Sequence, residues 1–398
     1  MLGTCGESRG AGWWLFCLLG FLFASVSSQA AQAAEVALAG FSFAGDFNTA
    51  PDRFPHSFAL YKQSNTAGAT SFSKVVLDRA RALSNPAFEI AAPDSLVSVR
   101  KSDQALMAVL VLTGETVSSE NFGSYHKTFV NLRGDTLIFD FKNKTVVRNY
   151  PINVFIFDAT PAPPSAEHIR ELVNNLLLRE DDNGLVSQFT KRLGTATLPT
   201  PGSRNIQIHS TQIAPEALAL MPEGLRNDPK TVETMVADTF GSILSAKLGI
   251  PLLPTASGHT LGTMSLRLQS GDDIDLHIGE GDYLFDLKLN KFAKIKSGEN
   301  NLGASYVFGA YANVRFYEPT QNTDFINTDL KNGEVKIVPA NQVTGEDFPA
   351  YEAALRGLFL KFSDSIGQSD LKWITIAASA KNIGKQVDSA RAVIKACK

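Results

Sequence analysis

Carboxylates crowd most densely at Asp272, Asp273, Asp275, Glu280 and Asp282, and hard oxygen ligands of this kind can hold Ca²⁺. The run lacks the alternating Asp positions, the glycine and the closing glutamate of a calcium loop. It falls where a hairpin turn belongs, so it reads as a solvated loop. Asp181-Asp182-Asn183-Gly184 likewise reads as a turn. Gly258-His259-Thr260-Leu261-Gly262 has the spacing of a nucleophile elbow with Thr in the place of Ser. An elbow requires a sharp strand-to-helix turn, whereas residues 263–268 have the pattern of a strand, so no catalysis is assigned there. The histidines His56, His126, His168, His209, His259 and His277 are scattered singly, with no HExxH motif and no Cys/His pairing to build a zinc site. Neither GxGxxG nor GxxxxGKT occurs, so neither a nucleotide nor any other cofactor is expected. A hydrolase whose triad or metal site is assembled from distant residues stays open as the alternative.

Recognition has a better candidate in Tyr306 to Pro319, YVFGAYANVRFYEP. Its even positions (Tyr306, Phe308, Ala310, Ala312, Val314, Phe316) are apolar, and its odd ones are mixed and largely polar. A period of two makes this a half-buried antiparallel strand. Upstream, Tyr283 to Asn290 (YLFDLKLN) alternates in the same way, and the glycines and asparagines of residues 291–305 predict a long linking loop between the two strands. The polar face then presents Tyr311, Asn313, Arg315 and Tyr317, with Lys288 across the hairpin. These residue types give large contact areas with few ordered bonds, and these five are the predicted binding residues. The bland alternative is a wet face, or one covered by a helix.

The wider chain sets the bounds. Its 398 residues, 44% hydrophobic and 19% charged with a formal charge of −3, describe an ordinary globular protein with room for two or three domains. Without a basic excess, a nucleic-acid partner is not expected. Arg9 precedes an uncharged apolar run at residues 13–26, about 14 residues long against the roughly 20 that cross a bilayer. Ala31 and Ala33 then supply small residues at the minus-three and minus-one places. This layout predicts a secretory signal peptide over residues 1–33, a periplasmic or extracellular location, and no integral membrane segment after cleavage. Cys17 follows the bulky Leu15 and Phe16, so no lipid anchor is predicted. Cys5 and Cys17 leave with the signal, and Cys397 remains as a thiol in a frayed terminus or one that pairs between chains.

The mature chain reads twice as strand, helix, apolar strand, polar loop, alternating strands and helix. The first pass has a strand at residues 36–43 and a helix over 71–83 ended by Asn85-Pro86. The apolar run ALMAVLVL follows, then strands at 127–132, 136–141 and 153–159, and a helix capped by Ser165. The second has a strand at 205–213, a helix from Val232 to Leu248, a hairpin at 263–278, the two alternating strands, weaker strands at 325–330 and 335–338, and a helix capped by Asp347. The fold class expected is α+β: two tandem, duplicated units, each a mostly antiparallel sheet with two helices packed on it. The boundaries are a first domain at 34–180, a linker at 181–204, a second domain at 205–368 and a helical tail at 369–398.

The second half, with VETMVADTFGSILSAKLGI, YLFDLKLNKF, YVFGAYANVRFYEP and YEAALRGLFLKF in that order, resembles the α/β units of the TolB N-terminal and CsgG-like periplasmic proteins. The resemblance covers about 160 residues, lies in the order and texture of elements, and includes no catalytic motif. The lipid-anchor Cys of the CsgG-like members has no counterpart here. The resemblance implies a non-catalytic domain serving envelope assemblies through protein contacts or oligomeric rings. The expectation is therefore an exported envelope component that binds other envelope proteins or itself.

Overall fold

The computed structural model describes residues 34–65, 71–91, 105–255, 263–267, 273–301, 303–339, 347–368 and 370–398. The predicted signal peptide, the elbow-like Gly258 to Gly262 and Asp272 lie outside the described residues. Among the described residues, eleven strands form two mixed sheets. The first begins with β1 (Ala34–Phe43), apolar on both faces and buried from Val36 onward. Its neighbours are β2 (Phe88–Ala91), β3 (Leu106–Asn121), β4 (His126–Asp140) and β5 (Thr145–Thr160), with the hairpin β7 (Thr263–Arg267) and β8 (Asp273–His277) beyond β5. The second sheet has the order β11 (Thr323–Pro339), β10 (Gly303–Glu318), β9 (Tyr283–Asn300), β6 (Ile206–Ile213). The fold is α+β, and Ala34–Lys398 forms one compact unit.

Helices cover one face of each sheet. On the first lie α1 (Ala50–Arg53), α2 (Pro55–Ser64), α3 (Phe72–Arg81), α4 (Ala166–Leu178) and α5 (Leu185–Thr195). Ser71 caps α3 and Ser165 caps α4, each accepting from a backbone N–H in the first turn. Their apolar stripes, such as Val76, Leu77 and Ala80 of α3 and Leu172, Val173 and Leu176 of α4, meet Leu38, Phe41, Leu110 and Val130 in one core. On the second sheet lie α8 (Pro229–Leu248), α9 (Asp347–Gly367), α10 (Lys372–Ala377) and α11 (Ile383–Lys395), preceded by the single turns α6 (Pro215–Leu218) and α7 (Glu223–Arg226). Here the even side chains of β10, Phe308, Ala310, Ala312, Val314 and Phe316, are buried against Phe240 of α8 and Leu358, Phe359 and Phe362 of α9. The alternation read from the sequence is the alternation of the sheet.

Helix α8 is buried nearly all round, from Val232 to Leu248, as suits an element packed on several sides. Its Gly241 lies against β6: a Cβ there would come within 2.9 Å of Ile208. Gly249 ends the helix in the left-handed region at φ 62, where L side chains are strained. A Cβ there would meet no atom within 4 Å, so the cost of substitution is backbone strain alone. Gly249→Ala is expected to lower stability by about 1 kcal/mol, read as a shift of the urea midpoint at constant slope. An unchanged midpoint would contradict it.

Three sequence readings are corrected. Residues 291–300, expected as a loop, continue β9, and β10 begins at Gly303. The polar loop expected after Leu112 is strand as far as Asn121. The separate strands at 127–132 and 136–141 are one, because Arg133-Gly134-Asp135 runs through as pleated backbone. In each case polar residues that resemble a turn belong to strands whose polar side chains find partners or water.

The two sheets share a plan. In the first, β1 runs parallel to β3, and β3-β4-β5 is an antiparallel meander; in the second, β6 runs parallel to β9, and β9-β10-β11 is an antiparallel meander. Bulges fall at matching places. Ala39 of β1 corresponds to His209 of β6, Thr113 of β3 to Asn290 of β9, and Val147 of β5 to Phe325 of β11. The last hairpin of each meander closes with a non-glycine residue at positive φ, Lys144 at 51° and Asn322 at 49°. The first sheet adds β2 and the β7–β8 hairpin, whose Met264, Leu266, Ile274 and Leu276 cover Met107, Val109, Val111 and Phe139 on its second face.

Candidate functional site

Two places stand out, one inside and one on the surface. The interior one is a cavity of about 80 Å³ between the second face of the first sheet and α8, lined among others by Arg53, Asp135, Asn149, Thr234, Asp238 and Gly241. Buried polar side chains run beside it. Arg133 Nη1 donates to Thr116 Oγ1 at 2.8 Å and to Asn131 Oδ1 at 3.2 Å, and its Nε lies 3.2 Å from Asp238 Oδ2. Asn131 Nδ2 donates to Asn153 Oδ1 at 2.6 Å, and Asn153 Nδ2 to Thr239 Oγ1 of α8 at 2.8 Å. Gly114 makes room for the guanidinium, since a Cβ there would come within 2.2 Å of Arg133 Nη2.

Asp135 has a different environment. Asn149 Nδ2 donates to its Oδ1 at 3.0 Å. Burial pushes its carboxyl up to about 7, and the nearby Asp238 adds to the shift. Asp238 is itself pushed up to about 6 by burial, against the pull of Arg133. Asn149 Oδ1 is buried with no hydrogen-bond partner among the described residues. A protonated Asp135 could donate to that oxygen and close an acid–amide ring. Two carboxyls with raised and unequal values can act as an acid and a base. The space beside them, however, is far below the roughly 300 Å³ and more of ordinary ligand pockets. It suits a few water-sized groups, and the network works as a polar joint between sheet and helix.

The surface place is the outer face of the second sheet, opposite α8 and α9. All five predicted binding residues lie on it, as the cross-strand rungs Lys288–Asn313–Asp329 and Asp286–Arg315–Asn327 place them. The structure divides them. Arg315 is tied down: its Nε is 2.7 Å from Asp324 Oδ1, its Nη2 donates to Asn322 Oδ1 at 3.0 Å, and its guanidinium lies 3.9 Å from the Tyr317 ring centroid. Tyr317 is buried, with its hydroxyl 3.5 Å from His209 Nδ1, and burial followed by Asp286 raises its pKa. Asn313 Nδ2 donates to Asp329 Oδ1 at 3.1 Å. Lys288 is exposed, and Tyr311 is half-buried beneath Lys291 Nζ, 5.0 Å from its ring centroid.

The strongest feature of this face escaped the sequence reading. Beyond Tyr311 the rungs become apolar: Ala293–Gly309–Gly333, then Ile295–Val307–Val335, with Ile337 opposite Ser305. Ile295, Val335 and Ile337 are 58%, 63% and 73% exposed. A groove of about 380 Å³ runs here between the sheet and Trp373, Ile376 and Ala377 of α10. The signal was present in KIK and EVKIV, where large apolar residues alternate with charged ones. It was obscured because residues 291–305 read as loop.

The remaining sequence candidates are dispersed. His168 Nε2 lies 2.7 Å from Asp158 Oδ2, and Asp273, Asp275 and Asp282 pair with Arg267, Ser265 and Arg204. Among the described residues no three His, Cys, Asp or Glu side chains are grouped to hold a metal, and no helix is long and apolar enough to cross a membrane. Cys397 corrects the reading of a frayed terminal thiol. It is buried beside Ile394, and burial pushes its thiol up to about 11. The amphipathic α11 holds the terminus against the core.

No family model and no curated protein matches the chain. Among solved structures, a DUF330 protein from Xanthomonas campestris is similar with a TM-score of 0.24 and 11% identity, over 44% of this chain and 90% of its own. A minor lipoprotein from Acinetobacter baumannii is similar with a TM-score of 0.19 and 8% identity, over 41% and 87%. Both neighbours are bacterial proteins, and the second is described as a lipoprotein. A likeness this faint says nothing of what the chain does.

Proposed function

We propose that the chain is exported to the periplasm or cell surface and works there without catalysis, as an assembly or binding component that meets other envelope proteins or itself through the outer face of the second sheet. The observation that carries this reading is the exposed apolar end of that face, Ile295, Val335 and Ile337, beside a groove walled by Trp373 and Ile376. Contiguous exposed apolar surface rimmed by polar residues marks contact sites, and Tyr311 with Lys288 and Lys291 forms such a rim. The signal-like residues 1–33 support export. The matched bulges and hairpin closures support an origin of residues 34–180 and 205–368 by duplication. A hydrolase is the second reading, favoured by the raised carboxyls of Asp135 and Asp238. The small cavity beside them weighs against it.

The test is crosslinking in the intact envelope followed by recovery of the tagged protein. Partner recovery is expected, and Tyr311→Ala should reduce it about tenfold if Tyr311 anchors the contact. Recovery of no partner and no self-adduct would overturn the reading.

A further inference from the structure

We infer that the open edge of β11 is a self-pairing surface, through which two copies of this chain join their second sheets across a two-fold axis centred on Val335. The inference deepens the reading of the second sheet as a contact surface and rests on it.

The edge is half closed and half open. β11 is the outermost strand of its sheet. Its first part is satisfied from within the chain: Ser379 N donates to the Asp329 carbonyl at 2.9 Å, Asp329 N to Ser379 Oγ at 3.1 Å and Asn327 N to Gln386 Oε1 at 3.1 Å. These bonds fix the orientation. The odd residues of β11 turn their N–H and C=O groups outward, and beyond the bridge that pairs Leu330 with Ala378, Gly333, Val335 and Ile337 present theirs along the rest of the edge, with no partner among the described residues. A long edge of this kind invites another strand. Val335 and Ile337, 63% and 73% exposed, make it an apolar one.

The sequence of this edge, Lys331-Asn332-Gly333-Glu334-Val335-Lys336-Ile337, complements itself when run antiparallel about Val335. Val335 then meets its own copy in a pair that exchanges both backbone bonds. Glu334 of each copy faces Lys336 of the other, twice, in the closer non-hydrogen-bonded positions. Lys336 makes no ion pair with a described residue, and Glu334 reaches only Asn332 Nδ2 at 3.2 Å and Lys361 Nζ at 3.7 Å. Each Ile337 falls opposite the partner copy's Gly333. Gly333 lines the groove with Trp373 and Ile376, and Ile376 is 77% exposed. A bulky apolar side chain thus meets the one residue type that leaves room for it. Sliding the axis to Gly333 would place Asn332 against Glu334 and remove both ion pairs. The same surface therefore serves both sides, which is the requirement of a closed two-fold dimer.

Sedimentation velocity of the purified protein from about 1 μM to about 1 mM should show a monomer–dimer equilibrium. Glu334→Lys and Lys336→Glu should each weaken the dimer at least tenfold, because each puts two like-charged pairs in contact. An equal mixture of the two variants should regain it, since a mixed pair sets a lysine against a glutamate at both sites. Ile337→Lys should also abolish it, and circular dichroism would show each variant folded. A protein monomeric throughout the range, or a dimer indifferent to both charge variants, would overturn the inference, and failure of the mixture to reassociate would overturn the register. A monomer that still captures envelope proteins through Tyr311 would overturn the pairing while leaving the contact-surface reading intact.

Discussion

Asp135→Asn is expected to stabilise the protein above neutral pH. The Asp135 carboxyl is raised to about 7 in the fold from an ordinary value of 3.8, so its favourable state in the folded protein is the protonated one. That contribution is fully present below about pH 4 and is lost as pH rises through about 7, where the folded protein must carry a buried carboxylate. A displacement of this size corresponds to about 4 kcal/mol at most. An asparagine cannot ionise, and its amide can donate to Asn149 Oδ1, the oxygen that lacks a partner among the described residues. Urea unfolding at pH 8 should show a gain of about 2–4 kcal/mol over the parent, shrinking towards zero near pH 4. Loss of stability at pH 8 would mean that Asp135 has an unrecognised cationic partner. Asp238→Asn should behave in the opposite way, because it leaves the buried Arg133 guanidinium without its carboxylate.

Phe240→Ala should cost about 3–5 kcal/mol. Phe240 is fully buried on α8, with ring centroids 5.2 Å from Phe285 of β9, 5.2 Å from Phe359 and 5.9 Å from Phe362 of α9. Truncation opens a void where the sheet and both helices meet. It also removes edge-to-face ring pairs, each worth a further fraction of a kcal/mol or more. Chemical denaturation should show the loss in full, whereas Phe240→Leu should recover much of it. A cost below about 1 kcal/mol would mean that the three neighbouring rings close over the gap.

Most elements of the fold could be read from the chain because periodicity survives without partners. VRFYEP and its upstream residues alternate, and the stripe from Val232 to Leu248 repeats at helical spacing. Ser165 announced its helix by cap chemistry. What could not be read depended on residues far apart in sequence. Arg133 and Asp135 flank a glycine and look like a turn until Asp238, about 100 residues later, supplies a buried partner. Ile295 and Ile337 looked ordinary because no local rule says which end of a long strand outruns its covering helices. Arg315 and Tyr317 invited a binding role by type, yet Asp286, Asp324 and His209 already engage them. The shared plan of the two halves was visible as a rhyme of elements. The matching of bulges needed the hydrogen-bond register.

The β7–β8 hairpin has a consequence for biogenesis. Its Met264, Leu266, Ile274 and Leu276 lie under strands that end at Thr160. A chain emerging amino-terminus first must therefore wait for roughly a hundred further residues before Met107, Val109 and Phe139 are shielded. During that interval a sticky surface of valines and phenylalanines faces the surroundings, the condition under which nascent proteins rely on a holding chaperone.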